Sequence, residues 1–154
     1  MSENIKQMSF EQYLDEYGEL VYSNVGVSMM PMIRQGKDTF TLKKKTERCR
    51  KHDVVLFKRG KSYVLHRVVK GLKDGYMVRG DNCPRAEYVP ESNVIAVMTG
   101  FTRNGRNCDL NSLTYKIYIH TWSTIYPVRR LAMGVKSKLS RRKGEKSNGK
   151  QKEQ

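Results

Sequence analysis

Residues 53–82, "DVVLFKRGKSYVLHRVVKGLKDGYMVRGDN", decide the fold of this chain. Three runs rich in β-branched and aromatic residues (53–59, 62–70 and 75–80) stand here between two short turn signals, Arg59-Gly60-Lys61 and Asp74-Gly75. Such runs fit a pleated, half-buried surface, and loops this short return the chain antiparallel to itself. Further strands are expected on either side, DTFTLKK at 38–44 and NVIAVMTGF at 93–101. Gly36, Gly80-Asp81-Asn82 and Pro84 supply the turns around them. The spacing predicts a mostly β, antiparallel domain over 24–110, without an internal repeat.

Both flanks switch to a helical period. Phe10, Tyr13, Leu14, Tyr17, Leu20 and Val21 fall on one face of a helix, and Ser9 with Gln12 three residues later is a capping-box start. An N-terminal amphipathic helix is therefore expected within 1–23. After Asn111, Tyr115, Tyr118, Ile119, Trp122 and Ile125 recur at helical spacing. Pro127 should break or kink that helix, and Val128, Leu131, Ala132, Val135 and Leu139 continue it. This C-terminal amphipathic segment is expected over 111–139. Residues 140–154 are rich in Lys, Gly, Ser and Glu and carry no apolar anchor, which predicts a disordered basic tail.

Length and composition narrow the function classes. A chain of 154 residues supports one ordinary domain with a core of its own. Its three cysteines, Cys49, Cys83 and Cys108, are odd in number and widely spaced, which favours neither a disulfide framework nor a zinc site. No run approaches the roughly 18 apolar residues of a membrane-spanning helix. The opening residues carry acids where a signal peptide would be basic and then apolar. The expectation is a reduced, cytoplasmic protein, soluble or peripheral at the inner face of a membrane. The formal charge is +15, and from Arg129 onward ten basic residues face two acidic ones, a net +8. About half the excess thus sits at the C-terminus, where it follows an aromatic and aliphatic helix, the composition of a segment that lies on anionic lipid.

The chemistry turns on "GVSMMPMI", residues 26–33. A serine set among methionines and a proline, two residues after a glycine, is either part of a Met-rich core segment or a hydroxyl presented at a sharp, apolar-walled bend. A serine nucleophile needs a base within hydrogen-bond reach, and the chain has only three histidines, His52, His66 and His120. Strand alternation groups His66 with Val64 and Val68, an apolar setting in which a neutral imidazole can accept a proton. From the residues alone, two readings stand together. Ser28 is a turn residue and His66 a satisfied core histidine, or the two are nucleophile and base.

Four stretches in order, "GVSMMPMI", "HDVVLFKR", "VLHRVV" and "YMVRGDN", resemble the boxes of the type I signal peptidase family of serine proteases over roughly residues 24–98. The histidine of His66-Arg67-Val68 resembles the endoplasmic-reticulum and archaeal-like branch, where other branches present lysine. The resemblance implies the antiparallel β fold that these peptidases share with self-cleaving repressors. It implies Ser28 as nucleophile and first oxyanion-hole donor, His66 as general base and Asp81 as support for the imidazolium. Glu87 stands where that branch carries a second acid, usually Asp, and is alternatively a solvated loop carboxylate. Met29 and Met30 would wall the cleft, and Pro31 would stiffen the loop that presents Ser28.

No metal or cofactor is implied. The implied substrates are extended peptides or preproteins with small residues before the cut, bound by strand addition. Two departures stand out: Gly36-Lys37-Asp38 lengthens the Gly-Asp that follows the serine box, and these residues are not expected to form a membrane anchor of the family's kind. The expected function is a serine endopeptidase that removes leader or signal segments. The alternative is a catalytically silent basic module on the same fold. Its partner would be a lipid surface or a protein, with nucleic acid less favoured.

Overall fold

The computed structural model of the chain describes residues 8–23 and 26–131. The expected tail at 140–154, and residues 132–139 of the expected helical segment, lie outside the described residues. The chain divides into two compact units, residues 1–116 and 117–154.

The first unit is built on an eight-stranded antiparallel sheet. Its strands are β1 (Glu19–Ser23), β2 (Thr39–Lys44), β3 (Val54–Arg59), β4 (Ser62–Leu72), β5 (Gly75–Arg79), β6 (Glu87–Pro90), β7 (Val94–Arg103) and β8 (Arg106–Cys108). Their order is β1-β2-β7-β3-β4-β5-β6, with β8 paired to β7, so the sheet is open and ends at β1 and β6. The mostly β expectation holds, and all five expected strands are present with ends shifted by a residue or two.

The turns follow backbone chemistry. β3 and β4 pair from Arg59–Ser62 inward, and Gly60 takes the left-handed φ of +58° that their two-residue loop requires. β4 and β5 close at Leu72–Gly75, so Gly75 is the first strand residue and not part of the turn. It is glycine for another reason: a Cβ there would meet Val89 O at 2.3 Å. The sequence reading missed β8, which an Asn104-Gly105 turn with both φ values positive folds back on β7.

The N-terminal helix is shorter than its period predicts. α1 spans Phe10–Tyr17, with the Ser9–Gln12 capping box formed as expected. Gly18 then turns left-handed at φ 72° and donates its N–H to Leu14 O, a glycine stop that hands the chain to β1. Leu20 and Val21, which extended the helical pattern, are strand residues.

The central strands are covered on both faces. Val55, Phe57, Val68, Tyr76, Val78, Val89 and Val94 form one core cluster. Cross-strand pairing sets His66 beside Val55 on that side, and Arg67 beside Val54 on the other. α2 (Leu113–Thr124) leads from the first unit into the second. Ile125 is a turn residue and 126–131 are helical, the interruption expected at Pro127. No helix among the described residues is long and apolar enough to cross a membrane.

Candidate active site

Ser28 sits in a turn after Gly26, whose φ of +132° is open to glycine but strained for any other residue. Tight backbone bonds, Met30 N–H to Val27 O and Ile33 N–H to Met29 O, coil the chain beyond it. That coil sends Met29, Met32 and Ile33 into the core, all essentially unexposed. Neither Met29 nor Met30 is among the residues that line the cleft, contrary to the expectation. Met29 fills core, and the Pro31 carbonyl accepts from Arg103.

Instead, the cleft is a cavity of about 790 Å³ in the first unit. Its polar side brings together Ser28, then Arg59 and His66 of the β3–β4 hairpin, then Cys83 and Glu87, from three separate stretches of the sequence. Its apolar side comes from Phe10 of α1, Tyr22 of β1, Phe40 of β2, and Leu56 and Val64 of the central hairpin. Phe10 packs edge-on to both Tyr22 and Tyr63, at 5.1 and 4.7 Å between ring centroids. Tyr63 and Lys58 in turn hold Glu11, which fixes the first turn of α1 at the rim. Nothing in the sequence pattern marks Phe10, Tyr22 or Arg59 as site residues; only the sheet order brings them there.

His66 is 6% exposed and lines the cleft, with its Nε2 packed close to Gly80. Nδ1 lies 3.0 Å from Glu87 Oε1, a contact that becomes ionic when the ring is protonated. Burial disfavours the imidazolium and holds the His66 pKa below 6.5, against the opposing pull of Glu87; the nearby Arg59 lowers it further. Arg59 also ion-pairs with Glu87. The imidazole is thus kept neutral at neutral pH, the state a general base requires. Ser28 Oγ makes no hydrogen bond to Nε2 in this conformation.

The Gly80-Asp81-Asn82 turn does three jobs. Gly80 permits close approach, since a Cβ there would meet Ser28 O at 2.6 Å, Cys83 Sγ at 2.7 Å and His66 Nε2 at 2.9 Å. Asp81 takes a bidentate hydrogen-bonded ion pair from Arg67, at 2.8 and 2.7 Å, with both side chains about 95% buried. Arg67 also donates to the His52 carbonyl and the Tyr115 hydroxyl, each at 3.0 Å. Burial opposes the guanidinium charge, but Asp81 outweighs it and raises the Arg67 pKa. Asn82 donates its N–H to Ser28 O at 2.7 Å and its Nδ2–H to Val27 O at 3.2 Å, clasping the serine loop.

Both expected carboxylates act on the ring: Glu87 stands at contact distance from Nδ1, and Asp81, held by Arg67 from the neighbouring position on β4, adds a charge that favours the imidazolium while it braces the turn. The positioning role of Asn82 was missed, although a short amide donor next to the Gly-Asp turn was the available signal.

The remaining candidates are outside the cleft or subdued within it. His52 lies in a turn at φ 80°, and His120 is exposed on α2. Burial raises the Cys83 thiol pKa, so this sulfur in the cleft stays protonated. The lengthened loop after the serine box is closed by Asp38, fully buried and gripped by the Arg34 N–H and guanidinium at 2.9, 2.9 and 2.6 Å. Those bonds hold the Asp38 pKa down at about 2. Among the described residues no group of three His, Cys, Asp or Glu side chains is placed to hold a metal ion. No protein-family model matches the chain, and no curated protein matches it in sequence.

Proposed function

We propose that this chain is a serine endopeptidase of the signal-peptidase type, cleaving leader or signal segments from peptides or small proteins with Ser28 as nucleophile and His66 as general base. One observation carries the proposal. Ser28 and a buried, neutral histidine with a carboxylate at its far nitrogen line one cleft, although they are 38 positions apart in sequence.

With a peptide in the cleft, Ser28 Oγ attacks the scissile carbonyl carbon while its proton passes to His66 Nε2. The imidazolium formed is stabilised by Glu87 across Nδ1. Collapse of the tetrahedral adduct breaks the C–N bond, and the leaving amine takes the proton from Nε2. Water, deprotonated by the same nitrogen, then hydrolyses the acyl ester. The Ser28 N–H is the first candidate oxyanion donor. The resemblance supplies the expected preference for small residues before the cut.

A second reading, a catalytically silent binding module, draws on the missing hydrogen bond between Ser28 Oγ and Nε2. Mass-spectrometric scoring of a peptide mixture separates the two. The proposal expects cleavage by the wild-type protein and loss of about 10³-fold or more in Ser28→Ala and in His66→Ala. Equal cleavage by all three proteins, or none by the wild type, would sink it.

A further inference from the structure

A second feature, in the other unit, is independent of the cleft. The backbone bonds Ile125 N–H to Thr121 O (3.0 Å) and Arg129 N–H to Ile125 O (3.1 Å) carry the helical register across the break at Pro127. At about 100° per residue, Ile117, Ile125, Val128 and Leu131 then fall within an arc of roughly 120°. All four are exposed, Val128 and Leu131 by 70% and 73%. At one margin Tyr118 and Trp122 stack at 5.6 Å, and the Arg129 guanidinium lies 3.5 Å over the Trp122 ring. An apolar stripe edged by an aromatic pair and a cation is followed in sequence by the run whose net charge is +8 from Arg129 onward.

We propose that residues 117–131 are a peripheral docking surface for an anionic lipid bilayer, with the basic run as its electrostatic partner. Lipid answers both halves of the feature. Acyl chains just below the headgroups take up the stripe, Trp122 and Tyr118 suit the interface, and anionic headgroups neutralise the cations. Nucleic acid would use the charge and leave the stripe in water. A second copy of this chain would bring another +8 against the first.

The test uses the full-length protein and vesicles of phosphatidylcholine, with or without about a third phosphatidylglycerol. Trp122 is the chain's one tryptophan, so its emission reports on this surface alone. The expected result is co-sedimentation with the anionic vesicles, a blue shift of Trp122, and binding at least about tenfold weaker to phosphatidylcholine alone. Ile117→Asp/Val128→Asp/Leu131→Asp should lose both the shift and about tenfold in binding. Should that variant misfold, Ile117→Ser/Val128→Ser/Leu131→Ser provides the same comparison. Deletion of 132–154 should weaken anionic binding and leave the stripe in place.

Equal binding to both vesicle types, absence of binding, or unchanged binding by the stripe variants overturns the proposal. So does duplex DNA that produces the same blue shift and displaces the vesicles. Ser28→Ala should bind vesicles as the wild type does, so failure of the peptidase chemistry and failure of lipid docking are read separately.

Discussion

His66 illustrates how much one residue's environment decides. Its pKa is depressed because burial outweighs Glu87, so activity that needs the neutral ring should rise with pH through a midpoint below 6.5 and stay level through neutrality. Glu87→Gln removes a charge that favours the imidazolium. The acid limb should move to still lower pH while kcat falls; an unmoved limb in the pH–rate profile would show that Glu87 does not act on the ring. Asp38 sets a different pH dependence, through stability. Its folded pKa of about 2 lies below the ordinary 3.8, so its stabilisation is present in full above 3.8 and disappears as pH falls through about 2. Asp38→Asn should cost about 1–3 kcal/mol in urea unfolding at pH 7, and the gap from wild type should close near pH 2.

Among the elements, the Gly80-Asp81-Asn82 turn ties β4, which carries His66, to the loop that carries Ser28. Gly80→Ala places a methyl group against Ser28 O and His66 Nε2, both closer than 3.0 Å. It should lower stability by about 1–3 kcal/mol, with a larger relative loss of cleavage than of secondary structure. Arg67 and Asp81 make a buried pair, and removing one partner leaves an uncompensated charge. Arg67→Met should cost about 3–5 kcal/mol, whereas Arg67→Met/Asp81→Leu should recover much of that in thermal unfolding without restoring cleavage. Full recovery of cleavage by the double variant would show that the pair does not position the turn. Strand identity was legible here because period-two runs and turn residues are local signals. The end of α1 was not read because Leu20 and Val21 suit a helix and a strand alike, and only the Gly18 stop distinguishes them.

Over the whole molecule, a formal +15 on 154 residues, about half of it from Arg129 onward, means long-range self-repulsion. Raising ionic strength from about 0.01 to 0.15 M shortens the Debye length from about 30 to 8 Å, so the thermal midpoint should rise with added salt. A midpoint that falls would show that attractive pairs such as Lys45–Glu91 and Lys43–Glu19 outweigh the repulsion. At this scale sheet order matters most, because it sets β7 between β2 and β3 and brings α1 and β1 to the rim of the cleft.

The sequence by itself determined the antiparallel β class, the hairpins and the helix starts, since each is written in spacing and turn chemistry over a few residues. Tertiary structure alone decided which carboxylate stands at His66, where the methionines point and what walls the cleft. Those outcomes depend on strands distant in sequence becoming neighbours and on burial shifting the cost of charge, and neither can be read from any local window of residues.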